Sequence, residues 1–549
     1  MKSSDKTKTF FSGVLILTVA NLVTKVIGLI FKIPLTNMLG NEGMGYFNTA
    51  YQIYTWLYML STAGVPVALS MMISERRASG KIAEERKLFR LTLSFFALIG
   101  LLGSALMMLF CKNIASFISA DLSYLCILAI APALFFVCVS STVRGYFQGR
   151  RNMIPTAVSE VIEAALKLTI GISLGAYALK KGYPLHTVAA YSILGVTVGV
   201  FAGAAFLALS AAFSKLLKSS DYEITSERKD ICSNKSLLSS FFKIAIPVML
   251  SSSLLSMSSM LDTLIVMRRL QAIGMSEAAS VALYGNYTAY CVTLFNLPPV
   301  LIYPIVNTLI PSLSAANTRK QKEKTNLLVQ KTLKLSSIIA LPCAIGLSAL
   351  SLPILKLIFT DTANSEMAAP LLTVLAPSVF LIGIMAVTNA VLQSFKLQKY
   401  SVISMFCGAM AKAISAYLLP ALKIGNEYLG IYASPISTFI FYLTITCMNF
   451  YFIVRHTNVR LFVTKIFSRP LISAILCGIS AKGTHFLLAS YLGDSKLFVL
   501  IAIAVAAIVY ALSLLLIGGI TESDVKLIPH ANTVVKKLPL INRLIRSDA

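Results

Sequence analysis

Charge is scarce in this chain. Asp, Glu, Lys and Arg make up 13% of its 549 residues, against about 25% in ordinary soluble domains. No stretch is polar enough for long enough to build a soluble domain, and the longest, roughly 214–236, has the length of a loop. The four histidines, His186, His456, His485 and His530, are dispersed. The nine cysteines form no C-x-x-C pair and fall mostly inside apolar runs, where a cysteine acts as a small buried hydrophobe. A metal centre is therefore not expected. Also missing are the phosphate-cradling G-x-x-x-x-G-K-[ST] loop, H-E-x-x-H and G-x-S-x-G. These absences argue against an ATPase, a zinc protease and a serine hydrolase. We expect no enzyme, no catalytic residue and no cofactor beyond a coupling cation (Na+ or H+) or the membrane potential.

What fills the sequence instead is apolar. Hydrophobic residues are 57% of the chain and the mean hydropathy is +0.79. A span needs about 20 apolar residues to cross about 30 Å of hydrocarbon. Runs of that kind lie near 10–36, 46–73, 88–111, 122–146, 153–179, 186–213, 238–265, 279–310, 332–358, 368–395, 400–422, 428–454, 469–491 and 497–519. The N-terminus resembles a secretion signal, but its apolar run is too long, Lys25 interrupts it and no small-residue cleavage site follows. It reads as a retained first span.

The net charge of +26 suggests nucleic acid in a soluble protein. Here the basic residues stand between apolar runs, so they report topology and contact with anionic lipid head groups. With the N-terminus placed in the cytoplasm, the inner segments and the span ends beside them hold 35 of the 48 Lys and Arg residues, and the outer loops hold 8. That split follows the positive-inside rule in every loop pair. The expectation is fourteen spans with both termini cytoplasmic, in a bacterial cytoplasmic membrane, as a monomer with no nucleic-acid partner.

A repeat divides these spans. Superposing Ala131-Pro132 on Ala376-Pro377 also aligns Phe135 with Phe380, Gln148 with Gln393, Ser159 with Ser404, Ala164 with Ala409 and Lys167 with Lys412. The tripeptide "TAY" recurs at 49–51 and 288–290. Six spans separate the copies, so they share one orientation, as in transporters built from parallel halves. The fold expected is an all-α integral membrane transporter with two lobes. Residues 1–219 form the first lobe, 220–236 a cytoplasmic linker and 237–455 the second lobe. Residues 456–549 add two spans and a basic tail, of which 534–545 is amphipathic and suited to the inner leaflet.

Charges inside a bilayer are expensive and commonly face a cavity or a partner. Lys25, Lys32, Glu160, Glu163, Lys167, Asp262, Lys412 and Lys482 fall inside the expected spans. At about 1.5 Å per residue, Lys25 and Lys167 lie roughly 20 Å into their spans and Lys412 about halfway. Lys32 falls near the outer end, within snorkelling reach of water. Glu163 and Lys167 have the i,i+4 spacing of a helix ion pair and Glu160 shares their face, so this trio has a purely structural reading too. Met405 and Gly408 replace the two acids in the second copy, so the structural reading does not extend to Lys412. We therefore expect Lys25, Lys167 and Lys412 to line a central cavity for an anionic phosphate, diphosphate or carboxylate group. Glu160, Glu163 and Asp262 are expected to bind a coupling ion or to balance charge.

Residues 141–168, "STVRGYFQGRRNMIPTAVSEVIEAALKL", resemble the R-G-x-F-Q-G-x-x-x-M-x-P-x-A-x-S-x-x-x-E signature of the stage V sporulation protein B family. Arg144, Gly145, Phe147, Gln148, Gly149 and Pro155 carry that match. The stretches 13–54, 64–75 and 284–314 are similar to the same family, so the resemblance covers roughly 10–455. The family belongs to the MATE-like exporters of drugs, lipid-linked oligosaccharides and polysaccharides. The resemblance implies a flippase for a polyprenyl-diphosphate-linked saccharide, such as a peptidoglycan precursor or a spore polysaccharide precursor. Lys25 stands where lipid II flippases have a basic residue in the first span, and Lys167 fits the basic position of the fifth. Phe31 and Tyr58 stand where those flippases carry further arginines, which leaves the sporulation branch closer. The rival readings are a MATE-type multidrug or cation antiporter, against which the positive intramembrane excess argues, and a non-transporting scaffold for envelope assembly.

Overall fold

The computed structural model describes residues 2–62, 64–150, 152–213, 233–318, 321–457, 459, 463–492 and 495–519. The amphipathic tail at 534–545 and most of the 220–236 linker lie outside the described residues. The chain forms two compact units, Met1–Ala289 and Tyr290–Ala549. The lobes drawn from the repeat part at the linker, whereas packing draws the boundary later, because the helices after the linker pack on the start of the chain.

The first unit contains α1 (Lys2–Thr62), α2 (Gly64–Ala78), α3 (Ile82–Leu109), α4 (Cys111–Ile118), α5 (Tyr124–Gly149), α6 (Ile154–Lys180), α7 (Leu185–Phe213), α8 (Asn234–Leu261), α9 (Met267–Ala272) and α10 (Glu277–Asn286). The second contains α11 (Val292–Phe295), α12 (Pro298–Thr318), α13 (Lys322–Ala349), α14 (Ser351–Ile358), α15 (Thr362–Leu375), α16 (Ser378–Ser394), α17 (Gln398–Leu418), α18 (Ala433–His456), α19 (Val463–Leu492) and α20 (Lys496–Leu516). A two-residue hairpin pair, Lys423–Ile424 with Glu427–Tyr428, is the strand content of the described residues.

Eleven helices among the described residues are long and apolar enough to cross a membrane, or twelve if α15 and α16, bent by 42°, form one span. Fourteen spans were expected, and the difference arises at two further places. The first two expected spans lie on one helical run, Val19–Arg77, because the turn between them shrinks to a single non-helical residue. That residue is Gly40, at φ 63°, a left-handed value that glycine adopts without a Cβ clash. The eighth expected span, 279–310, is divided between α10, a π-helical turn at Tyr287–Cys291, α11 and α12. Its interruption at Asn296–Leu297 directly precedes Pro298, and a residue before proline is pushed out of helical geometry.

Apolar packing holds each unit. In the first, Val65, Leu69, Phe96, Phe147 and Phe241 bury against one another between α2, α3, α5 and α8. In the second, Ile302, Leu309, Leu333, Ile384 and Val387 do the same for α12, α13 and α16. At the α2–α3 turn, where sequence suggested only topological charge, two buried acids gather the bases. Glu84 meets Arg76 at 3.4 Å and Lys81 at 3.8 Å; Glu85 meets Arg150 at 2.7 Å and Arg77 at 3.8 Å.

The α6–α7 contact is set by small residues. Gly195, Gly199 and Gly203 form a G-x-x-x-G-x-x-x-G row on α7. A Cβ on Gly199 would stand 2.6 Å from the Glu163 carbonyl oxygen, and one on Gly195 would stand 2.4 Å from Gly171 Cα. Rows of this kind let membrane helices approach to backbone distance. Gly199→Leu is therefore expected to destabilise the protein by about 1–3 kcal/mol through overpacking. Gly346→Leu, at a position with nothing within 4 Å of an added Cβ, is expected to be near neutral. Thermal unfolding in detergent checks the contrast.

Candidate functional site

The glycine row fixes α6 with one side against α7. Glu160, Glu163 and Lys167, at i, i+3 and i+7, share a face of α6, and the recorded partners of that face come from α1 and α5. From α5 comes Arg144, buried at 6% exposure. Its Nε donates to Ser159 Oγ at 3.2 Å, its Nη2 donates to Glu163 Oε2 at 3.1 Å, and its Nη1 stands 3.9 Å from Glu160 Oε1. The structural alternative, a Glu163–Lys167 ion pair, does not form among the described residues. A planar guanidinium reaches two carboxylates and a hydroxyl at once, and both acids are turned to it.

Lys167 goes the other way. Its Nζ donates to Tyr51 Oη at 2.9 Å and lies over the Tyr51 and Phe31 rings, 4.6 and 5.1 Å from their centroids. Lys32 joins it. The two ammonium groups lie within electrostatic reach of each other, and Lys32 Nζ donates to Asn48 Oδ1 at 3.3 Å. The Asn48 amide is held by its own donation to Thr288 Oγ1 at 2.9 Å. That bond crosses the α1–α10 seam, where a Cβ on Gly285 would meet the Asn41 carbonyl oxygen at 1.9 Å. The second "TAY" thus supplies Thr288 to this contact, and the first supplies Tyr51 to Lys167. The break at Gly40 between the first two expected spans brings Asn48 to Lys32.

Phe31, Phe47, Tyr51, Tyr54 and Tyr58 line the same part of α1. Successive ring centroids are 5.7–6.2 Å apart. Aromatic rings with hydroxyl tips give this wall an apolar body and a polar edge. The row runs between the lysine pair and the Arg144 cluster, since Glu163 and Arg144 both act electrostatically on Tyr54 and Tyr58.

The remaining expected residues have other surroundings. Lys25 is exposed on α1, two turns before Lys32 and on the same face. Asp262 is buried at the start of a π-helical turn, Asp262–Val266, beside Thr263 and Tyr284. Lys412, in the second unit, is 1% exposed. Its Nζ donates to Thr438 Oγ1 at 3.0 Å, over the Phe441 ring. The structure thus brings Lys167 together with Lys32, and packs Lys412 between α17 and α18.

The signature residues divide by role. A Cβ on Gly145 would stand 2.8 Å from Pro66 Cα, and one on Gly149 would stand 2.8 Å from Ile73 Cβ. They are the close-approach points of α5 on α2. Phe147 fills the adjoining core, Pro155 sits in the first turn of α6 and Gln148 is half-buried. Arg144 is the signature residue that handles charge.

The second unit holds an apolar groove of about 750 Å³ where α13, α16 and α18 meet α19, lined by Ala344, Ser348, Phe380, Phe439 and Gly478 with Lys482 among them. No short motif announces it in sequence.

Comparison with known proteins follows this geometry. The family described as polysaccharide biosynthesis protein matches residues 10–317, more than half of the chain, and the MatE family matches 247–418. The stage V sporulation protein B of Bacillus subtilis (strain 168) is 25% identical over 433 residues, covering 77% of this chain and 81% of the relative. The lipid II flippase MurJ of the same organism is 24% identical over 517 residues, covering 91% and 93%. Among solved structures, lipid II flippase MurJ in an inward closed conformation aligns with a TM-score of 0.69 at 15% identity, covering 91% of this chain and 98% of that one. An inward-facing multidrug resistance MATE family transporter aligns at 0.64 and 16% identity, covering 78% and 93%. The two-lobe MATE-like fold is thus shared, and the chain is a multi-pass membrane protein.

Arg144→Gln leaves Glu160 and Glu163 without their cation, and breaking such a buried pair costs about 3–5 kcal/mol. Combining it with Glu160→Gln and Glu163→Gln is expected to restore most of that stability, because no uncompensated charge is left. Unfolding of the wild type, Arg144→Gln, Glu160→Gln/Glu163→Gln and the triple variant in detergent measures the coupling.

Proposed function

The chain belongs to the polysaccharide biosynthesis protein family, and from that membership and the paired lysines we propose that it is a flippase. Its substrate is a saccharide carried on a polyprenyl diphosphate, moved across the cytoplasmic membrane by alternating access. The observation that carries this reading is the Lys32–Lys167 pair. Among the described residues, its hydrogen bonds go to neutral oxygens of Asn48 and Tyr51, while Arg144 takes both nearby acids. Two cations so placed repel each other and gain most from a ligand that carries more than one negative charge. A diphosphate fits that need, and the adjoining aromatic row suits sugar rings. Lys25, two turns along the same face, extends the basic strip.

The relatives named for lipid II transport and for sporulation support a lipid-linked substrate and a carrier rather than an enzyme. The apolar groove beside α19 has the chemistry to hold a prenyl chain. Since the sequence carries no ATP-binding loop, a cation gradient or the membrane potential drives the cycle. The protein works as a monomer with both ends in the cytoplasm.

Reconstituted vesicles carrying a fluorescent lipid-linked saccharide test the reading. Lys32→Gln with Lys167→Gln is expected to lower the flipping rate at least tenfold at unchanged protein stability, and Lys412→Gln to lower it less than the pair. Full flipping by the Lys32/Lys167 double variant would exclude the lysine pair from substrate handling.

A further inference from the structure

The Arg144 cluster has a charge count that does not close. Arg144 is one cation; Glu160 and Glu163 are two acids. The cluster sits within the spans: Arg144 lies five residues before the end of α5, about 7 Å, and Glu160 six residues after the start of α6, about 9 Å. Lys167 is about two turns beyond Glu160 along α6, and its amine donates to Tyr51. Among the described residues it forms no ion pair with Glu163. With both acids ionised the cluster holds one negative charge in excess, in a place where lone charge is costly.

The two acids are not equivalent. Glu163 accepts a hydrogen bond from Arg144 at 3.1 Å, and a Cβ on Gly203 of α7 would come within 3.8 Å of its Oε2. Glu160 has a looser contact at 3.9 Å through Oε1, while its Oε2 is buried with no hydrogen-bond partner. Like carboxylates that share one cation do not both ionise freely. The charged and titratable groups facing Glu160 and its partner are Arg144 of α5, Glu163 of α6, and Tyr54 and Tyr58 of α1. The α7 side of the contact is the glycine row.

We propose that Glu160 binds an exchangeable proton, so that Arg144, Glu163 and a neutral Glu160 form a cluster of zero net charge. The proton sits on Oε2, the oxygen without a partner, and leaves to water when access changes, making this the coupling site of the transport cycle. The coupling role rests on the flippase reading; the proton site itself does not. Of the acids singled out from sequence, Glu160 therefore carries the exchangeable charge, and Glu163 fixes the guanidinium.

Infrared spectroscopy of the full chain in lipid, with deuterium exchange, reads a protonated carboxyl directly through its carbonyl band. The wild-type protein is expected to show an exchangeable band at neutral pH. Glu160→Gln removes it. Glu163→Gln removes it too, because one acid then faces one guanidinium, while Asp262→Asn keeps it. A wild type without the band, or a Glu160→Gln protein that retains it, overturns the proposal; so does a requirement for sodium in place of the proton. In vesicles, Glu160→Gln is expected to lose at least tenfold of the acceleration of flipping by a pH gradient. If the band behaves as stated and no lipid-linked saccharide moves, the flippase reading fails while the proton site stands.

Discussion

The contact on which the first unit depends is Arg144 with its two glutamates. A buried guanidinium in a span needs compensation, and α6 supplies it twice over. This has a consequence beyond stability. With both acids drawn to Arg144, Lys167 is left to α1, where its partners are a phenol and aromatic faces. The same contact thus anchors α5 to α6 and, among the described residues, leaves the lysine pair without a carboxylate partner. Had Glu163 paired with Lys167, the site would carry little attraction for an anion.

Helix packing sets this arrangement. The glycine row of α7 decides which side of α6 is closed, and Gly145 and Gly149 decide how near α5 lies to α2. The signature that made the family recognisable is therefore mostly a packing device, with one buried, ion-paired cation inside it. The second unit follows the repeat in sequence but not in chemistry. Arg144 aligns with Asn389, Glu160 with Met405 and Glu163 with Gly408. In place of the ionic cluster there is a neutral one, where Ser401 Oγ and Asn449 Nδ2 donate to Asn389 Oδ1, each at 2.8 Å. Lys412 keeps its register with Lys167 but lies buried, bonded to Thr438.

Much of the fold was legible because the bilayer imposes it. Hydropathy located the membrane helices, and the signature pointed to the family. The differences came from breaks smaller than a hydropathy window: Gly40, a single left-handed residue, and the Asn296–Leu297 interruption before Pro298. The site was legible in part. Lys167 and the two acids stood out as charges in apolar runs. Arg144 did not, because it lies close enough to the end of its span to be counted with the loop. Lys32 was set aside because depth along one helix does not identify its partner across the turn at Gly40, which is Asn48. Spacing alone favoured a Glu163–Lys167 pair; only the neighbouring helix shows a better partner.

The central claim is that two lysines in the first unit recognise a diphosphate. The most direct measurement is binding of a polyprenyl diphosphate without sugar to the purified protein, by native mass spectrometry across a salt series. The account predicts salt-sensitive binding that weakens at least tenfold in the Lys32→Gln/Lys167→Gln protein. Equal binding by the wild type and that variant would contradict it.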